Sequence, residues 1–172
     1  VVAANTILLN LIMLSAFILD AYAFSTEGLV GYSIGSKNKK LLKEIIKNSF
    51  ILSSSTGLII SFGYFLGKNH FIEIMTDLES IKIICISYSV WIVIIPFISS
   101  FCYQFDGIFV GASKTKELRN AMIMSVGIYL LTAILLVNFF DNLGLWIALS
   151  VFFILRGVTL FLYLGRIYKA AI

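Results

Sequence analysis

The chain alternates long apolar, uncharged stretches with short charged clusters. Val1 to Leu19 carries no charge, and the stretch then continues past Asp20 and Glu27 to about Ser36. Asn48 to Gly67 is a clean apolar run, and Ile83 to Phe105 continues past Asp106 to Ser113. Asn120 to Phe140 and Asn142 to Gly165 complete the set, the last enclosing Arg156. About 18 or more apolar residues in a helix cross the roughly 30 Å of hydrocarbon in a bilayer. The pattern therefore predicts an all-α integral membrane protein with five transmembrane helices, over about 1–36, 48–67, 83–113, 120–140 and 142–165. Barrel strands would alternate apolar and polar positions. Ile83-Ile84-Cys85-Ile86 and Ile92-Val93-Ile94-Ile95 are instead apolar on every face. In lipid each backbone polar group must be paired within its own segment, which a helix achieves. Pro96, the single proline, marks a kink in the third span, because it removes one backbone hydrogen bond.

Composition strengthens this picture. Of 172 residues, 60% are hydrophobic and 13% charged, with a mean hydropathy of +1.01; a soluble domain has about 25% charged residues. The formal charge of +4 resides in loops, so it points to membrane orientation rather than to a nucleic-acid partner. One His and two Cys are too few for a dedicated zinc or haem site, and Cys85 and Cys102 read as small buried hydrophobes. No nucleophile–base pair, P-loop or other enzyme signature is visible, so no enzyme and no bound cofactor is expected.

Loop charges set the orientation. Lys37, Lys39, Lys40, Lys43 and Lys47 lie between spans one and two, Lys114, Lys116 and Arg119 between three and four, and Arg166 and Lys169 after five. The other two connections carry no cationic excess. By the positive-inside rule the three basic segments and the C-terminus face the cytoplasm, and Val1 starts outside. An outward start with no signal peptide implies that at least one helix precedes Val1. Leu41, Leu42, Ile45 and Ile46 recur at helical spacing among the lysines, which fits either an interfacial amphipathic turn leading into span two or a solvated loop.

An ionisable group at membrane depth costs roughly 2.5–3.5 kcal/mol on insertion scales, so each needs a partner, water or a functional reason. Asp20 and Glu27 share one face of the first helix, while Asp106 and Arg156 lie on the third and fifth spans. Three anions cannot be neutralised by one cation. A desolvated carboxylate loads and releases a proton or coordinates Na⁺, so Asp106, Glu27 and Asp20 are cation-coupling candidates. Arg156 is a candidate interhelical partner, and its pairing with Asp20 is geometrically allowed. Tyr22, Tyr103 and Gln104 are polar candidates for a cavity or for interhelical hydrogen bonds. Gly107-x-x-x-Gly111, like the small residues of span one, permits close helix approach. An internal echo relates Gly35-Ser36-Lys37-Asn38-Lys39-Lys40-Leu41 to Gly111–Leu118, allowing one inserted residue.

The stretch Leu19-Asp20-Ala21-Tyr22 through Thr26-Glu27-Gly28 to Gly35, with Tyr103-Gln104-Phe105-Asp106-Gly107 through Gly111-Ala112, resembles the C-terminal half of a MATE (multidrug and toxic compound extrusion) transporter. Glu117-Leu118-Arg119-Asn120, Leu145-Trp146-Ile147-Ala148-Leu149 and Leu155-Arg156-Gly157 extend the likeness over essentially the whole chain, nearest to the branch named after DNA-damage-inducible protein F. The resemblance implies helices eight to twelve of a twelve-helix, two-lobed antiporter, with helix seven and the N-terminal lobe missing. It implies H⁺ or Na⁺ as coupling ion, a small organic substrate, often cationic, and membrane lipid and the absent lobe as partners. It places Asp106 at the kind of position where a helix-ten aspartate couples cations, with Tyr103 or Cys102 near the place of a liganding tyrosine. The alternatives are a lipid-linked precursor flippase of the same superfamily and a non-transporting truncated membrane protein.

Overall fold

The computed structural model describes residues 1–170. It contains helices α1 (Val2–Gly35), α2 (Lys39–Met75), α3 (Glu79–Tyr88), α4 (Val90–Gly111) and α5 (Thr115–Ala170), and no strand among the described residues. α1, α2, α4 and α5 are each long and apolar enough to cross a membrane. α5 is two helical arms, 115–140 and 142–170, joined at Asp141, whose φ of 47° and ψ of −127° break the helical path. The arms fold tightly together there: a Cβ on Gly144 would sit 2.5 Å from the Leu136 carbonyl carbon. Four long helices, one of them bent double, thus supply the five expected crossings.

Three boundaries differ from the sequence expectation. The basic stretch after Lys37 is the first part of α2, started by Asn38, whose side chain accepts a hydrogen bond from the Leu41 amide. Leu42 and Ile46 are buried on its inner face and its lysines are exposed, so it is an amphipathic helical segment leading into span two and not a solvated loop. α2 also runs past Gly67 to Met75. The third span is not one helix over 83–113: helix begins at Glu79 and is interrupted at Ser89, while Pro96 lies inside the unbroken α4. At Ser89 the amide bonds to the Ile86 carbonyl, a tight turn that its hydroxyl reinforces by donating to the same oxygen.

α4 is the most buried of the long helices and α5 the least. One apolar cluster joins Val30, Leu42, Ile46, Phe109, Leu160 and Ile167 at the end of the bundle that carries the basic segments. A second joins Leu8, Tyr64, Ile72, Cys85, Ile92 and Trp146 at the other end. There the Asn5 side chain accepts hydrogen bonds from Trp146 Nε1 and Asn142 Nδ2, tying the start of α1 to the second arm of α5. Elsewhere the outer surface is studded with exposed Leu, Ile and Phe, as a lipid-facing surface requires.

The two basic turns share one backbone design. After α1, the Lys37 amide bonds to Ile34 and the Asn38 amide to Ser33; after α4, the Ser113 amide bonds to Val110 and the Lys114 amide to Phe109. Both are Schellman endings with a left-handed residue, Lys37 at φ 52° and Ser113 at φ 56°. The sequence echo is therefore a structural one, and it superposes Gly35 to Lys40 on Gly111 to Lys116 with no insertion.

Candidate functional site

The site is built where α1, α4 and the second arm of α5 converge. α1 and α4 touch through their backbones because Gly107 and Gly111 have no side chain. A Cβ on Gly107 would collide with the backbone of Ala23, and one on Gly111 with that of Glu27. Gly31 continues the seam, where an added Cβ would meet the Gly111 carbonyl oxygen at 3.4 Å. The Gly-x-x-x-Gly motif is thus spent on helix approach, and the pairing runs parallel, Ala23 on Gly107 and Glu27 on Gly111.

Beside this seam, Arg156 Nη2 donates to Asp106 Oδ2 at 2.7 Å. The two side chains are 15% and 22% exposed, so the pair is largely desolvated. It is also half-made. Asp106 Oδ1 and Arg156 Nε are buried with no hydrogen-bond partner among the described residues, although a carboxylate and a guanidinium can form two parallel bonds. Asp20 lies within Coulombic range of both, but the hydrogen bond goes to Asp106, so the pairing of Arg156 with Asp20 is not the one formed. Tyr103, half-buried against Phe153, is within Coulombic range of Asp20, Asp106 and Arg156. Cys102 donates its thiol to the Phe153 carbonyl. Three intramembrane charges and a phenol therefore gather at one level.

Glu27 stands apart, one turn further toward the basic end, with its backbone against Gly111 and no ion pair among the described residues. Gln104 and Tyr22 belong to a hydrogen-bond chain across three helices. Fully buried Gln104 donates through Nε2 to Thr26 Oγ1 at 2.6 Å, and Thr26 donates to the Tyr22 carbonyl. Thr56 of α2 donates to the Tyr22 hydroxyl at 2.9 Å. Gln104 Oε1 is left without a partner. Thr26 and Thr56 escaped sequence reading because a threonine in an apolar run carries no charge and breaks no periodicity. A small recess between α1 and α2, about 240 Å³, is lined by Tyr22, Ser25, Thr26, Glu44, Asn48 and Ser49 among others.

Among the described residues no cluster of three or more His, Cys, Asp or Glu side chains is placed to hold a metal ion. Asp106 with Arg156 can do something else. Neutralising the carboxylate removes the attraction that holds the guanidinium, which leaves Arg156 with Asp20 as its other charged neighbour.

Comparison with known proteins bears on the family. The chain is 32% identical over 160 residues to DNA damage-inducible protein F of Escherichia coli (strain K12), an alignment covering 93% of this chain and 35% of that protein. The chain thus spans about a third of the length of the curated relative it matches. No solved structure matches. The MatE family model matches residues 1–139, which includes α1 to α4 and the carboxylates Asp20, Glu27 and Asp106. With its four long apolar helices and this match, the chain is a multi-pass membrane protein that belongs to the MatE family.

Proposed function

We propose that the protein is a cation-coupled antiporter that exports drugs or other small organic compounds, cationic ones among them, across the bacterial inner membrane by alternating access. The chain corresponds to helices eight to twelve of a twelve-helix transporter, with its basic segments and C-terminus cytoplasmic. Family membership supports the transport reading. The observation that carries the coupling reading is the half-made Asp106–Arg156 pair inside the hydrocarbon region.

The physical argument is one of exchange. An intramembrane ion pair that uses one of its two possible hydrogen bonds retains part of the desolvation cost of both ions. H⁺ or Na⁺ arriving at Asp106 cancels the negative charge, and Arg156 then gains by turning toward Asp20. Because Asp106 precedes Gly107, at the point where α4 meets the α1 backbone, such a change bears directly on the α1–α4 contact. Asp106 is the coupling carboxylate in this reading, Arg156 its counter-ion and Asp20 the alternative acceptor. Tyr103 and Glu27 are flanking groups, while Gln104 and Tyr22 hold the helices together.

Gradient-driven efflux of a cationic dye from cells expressing the gene provides the test. Asp106→Asn is expected to abolish the dependence on the H⁺ or Na⁺ gradient while the protein still reaches the membrane in normal amount. Efflux unchanged in rate and in gradient dependence would remove Asp106 from the coupling site.

A further inference from the structure

A groove of about 630 Å³ lies between α2, α4 and the second arm of α5, on a side of the bundle away from the polar recess. Its walls are aromatic and aliphatic, with Phe50, Phe97, Phe105, Phe153, Phe161 and Tyr168 the largest contributors. Gly157 forms part of its floor, where an added Cβ would meet only Cys102 Sγ at 3.7 Å. The lining stretches along α5 from Phe153 to Tyr168, about 22 Å at the helical rise of 1.5 Å per residue. Its outer end, at Ile46 and Tyr168, lies at the end of the bundle that carries the basic segments. The groove is therefore long enough to take an acyl chain through one bilayer leaflet, half of about 30 Å, with its outer end toward the basic segments.

The charges around this opening are of one sign. Lys43 precedes Ile46 by one helical turn, Lys47 precedes Phe50 by one turn, and Lys169 follows Tyr168 directly. All three are exposed, and none forms an ion pair among the described residues. The nearby acids are engaged elsewhere: Glu117 pairs with Arg166 at 3.1 Å, and Glu44 lines the recess on the α1 side. An apolar slot one leaflet deep beneath three free ammonium groups matches one amphiphile. We infer that the groove binds an anionic phospholipid, one acyl chain lying along Phe153–Tyr168 and the phosphate held by Lys43, Lys47 and Lys169.

The experiment uses the protein reconstituted in phosphatidylcholine vesicles containing equal traces of phosphatidylglycerol or phosphatidylcholine that carries a photoreactive diazirine in one acyl chain. The phosphatidylglycerol probe is expected to label peptides containing Phe97–Phe105 and Phe153–Phe161 at least about tenfold more than the choline probe. Each lysine near an anionic lipid accounts for about a fivefold preference, so K43Q/K47Q/K169Q should bring the two probes close to parity. Ile154→Trp, a change at a half-exposed lining position, should reduce groove labelling by both probes and leave labelling of the 115–140 arm unchanged. Equal labelling by the two probes in the unmodified protein would overturn the inference, since it describes nonspecific lipid contact. Protection of the groove with labelling only elsewhere would also overturn it, by showing that another protein segment covers the site.

Discussion

Replacing Gly107 by alanine tests whether the α1–α4 seam organises the bundle. The added methyl group would lie 2.8 Å from the Ala23 carbonyl carbon and 2.9 Å from its Cα, and closer still to its oxygen. Carbon atoms attract best at about 3.5–4.0 Å, so α1 and α4 must part by roughly 1 Å. Backbone has no rotamer with which to yield. Overpacking of this kind costs about 1–3 kcal/mol, against which alanine recovers up to about 1 kcal/mol of helix propensity. With the full propensity gain set against it, the net effect is a destabilisation of up to about 2 kcal/mol, or up to roughly 8 °C in thermal midpoint. Gly63→Ala and Gly127→Ala are the controls, because nothing lies within 4 Å of a Cβ at either position and propensity alone operates. They should raise the midpoint slightly. The protein carries its own reporter: Cys85 and Cys102 are free thiols, 0% and 1% exposed, so a thiol-reactive dye reads unfolding of the detergent-solubilised protein. A Gly107→Ala midpoint equal to or above that of the controls would mean that the seam does not organise the bundle.

Three further outcomes are expected. Asp106→Asn and Arg156→Gln should each lower the midpoint, while the double variant should lose less than the sum, with a coupling of about 1–3 kcal/mol in the double-mutant cycle; strict additivity would mean that the pair carries no stability. Lys37→Gly and Ser113→Gly should each stabilise by about 1 kcal/mol in the same thermal assay, since both residues hold a left-handed conformation that costs a side-chain-bearing residue roughly 1–2 kcal/mol. Glu117, outside the membrane-spanning part, has its carboxyl held below the ordinary glutamate range by its own backbone amide first and by Arg166 beside it. A depressed folded-state value means stability that is present above the unfolded pKa of about 4.3 and is lost as pH falls through the folded one. With Arg166 61% exposed, the contribution stays below about 1 kcal/mol. The midpoint of Glu117→Gln should therefore fall less than that of the unmodified protein between pH 6 and pH 3.

The sequence alone settled the solvent and the all-helical class. A bilayer pairs no backbone group, so uncharged apolar runs must be helical and must have a minimum length. It also marked Asp106, Asp20, Glu27 and Arg156 as costly and therefore informative. The family was legible because the residues that carry the resemblance, Asp106-Gly107 among them, lie together on short stretches. What periodicity left open was everything that depends on contacts between distant stretches. Whether Arg156 faces Asp20 or Asp106 is decided by helix rotation, which an all-round apolar helix does not encode. The end of α3 at Ser89, with Pro96 inside α4, follows from local carbonyl bonding. Gly107 and Gly111 become a seam only because Ala23 and Glu27 lie opposite them, and Thr26 acquires its role only when Gln104 arrives from another helix. Lys43, Lys47 and Lys169 counted in the sequence as orientation signals. Tertiary packing alone brings their neighbours Ile46, Phe50 and Tyr168 to one groove.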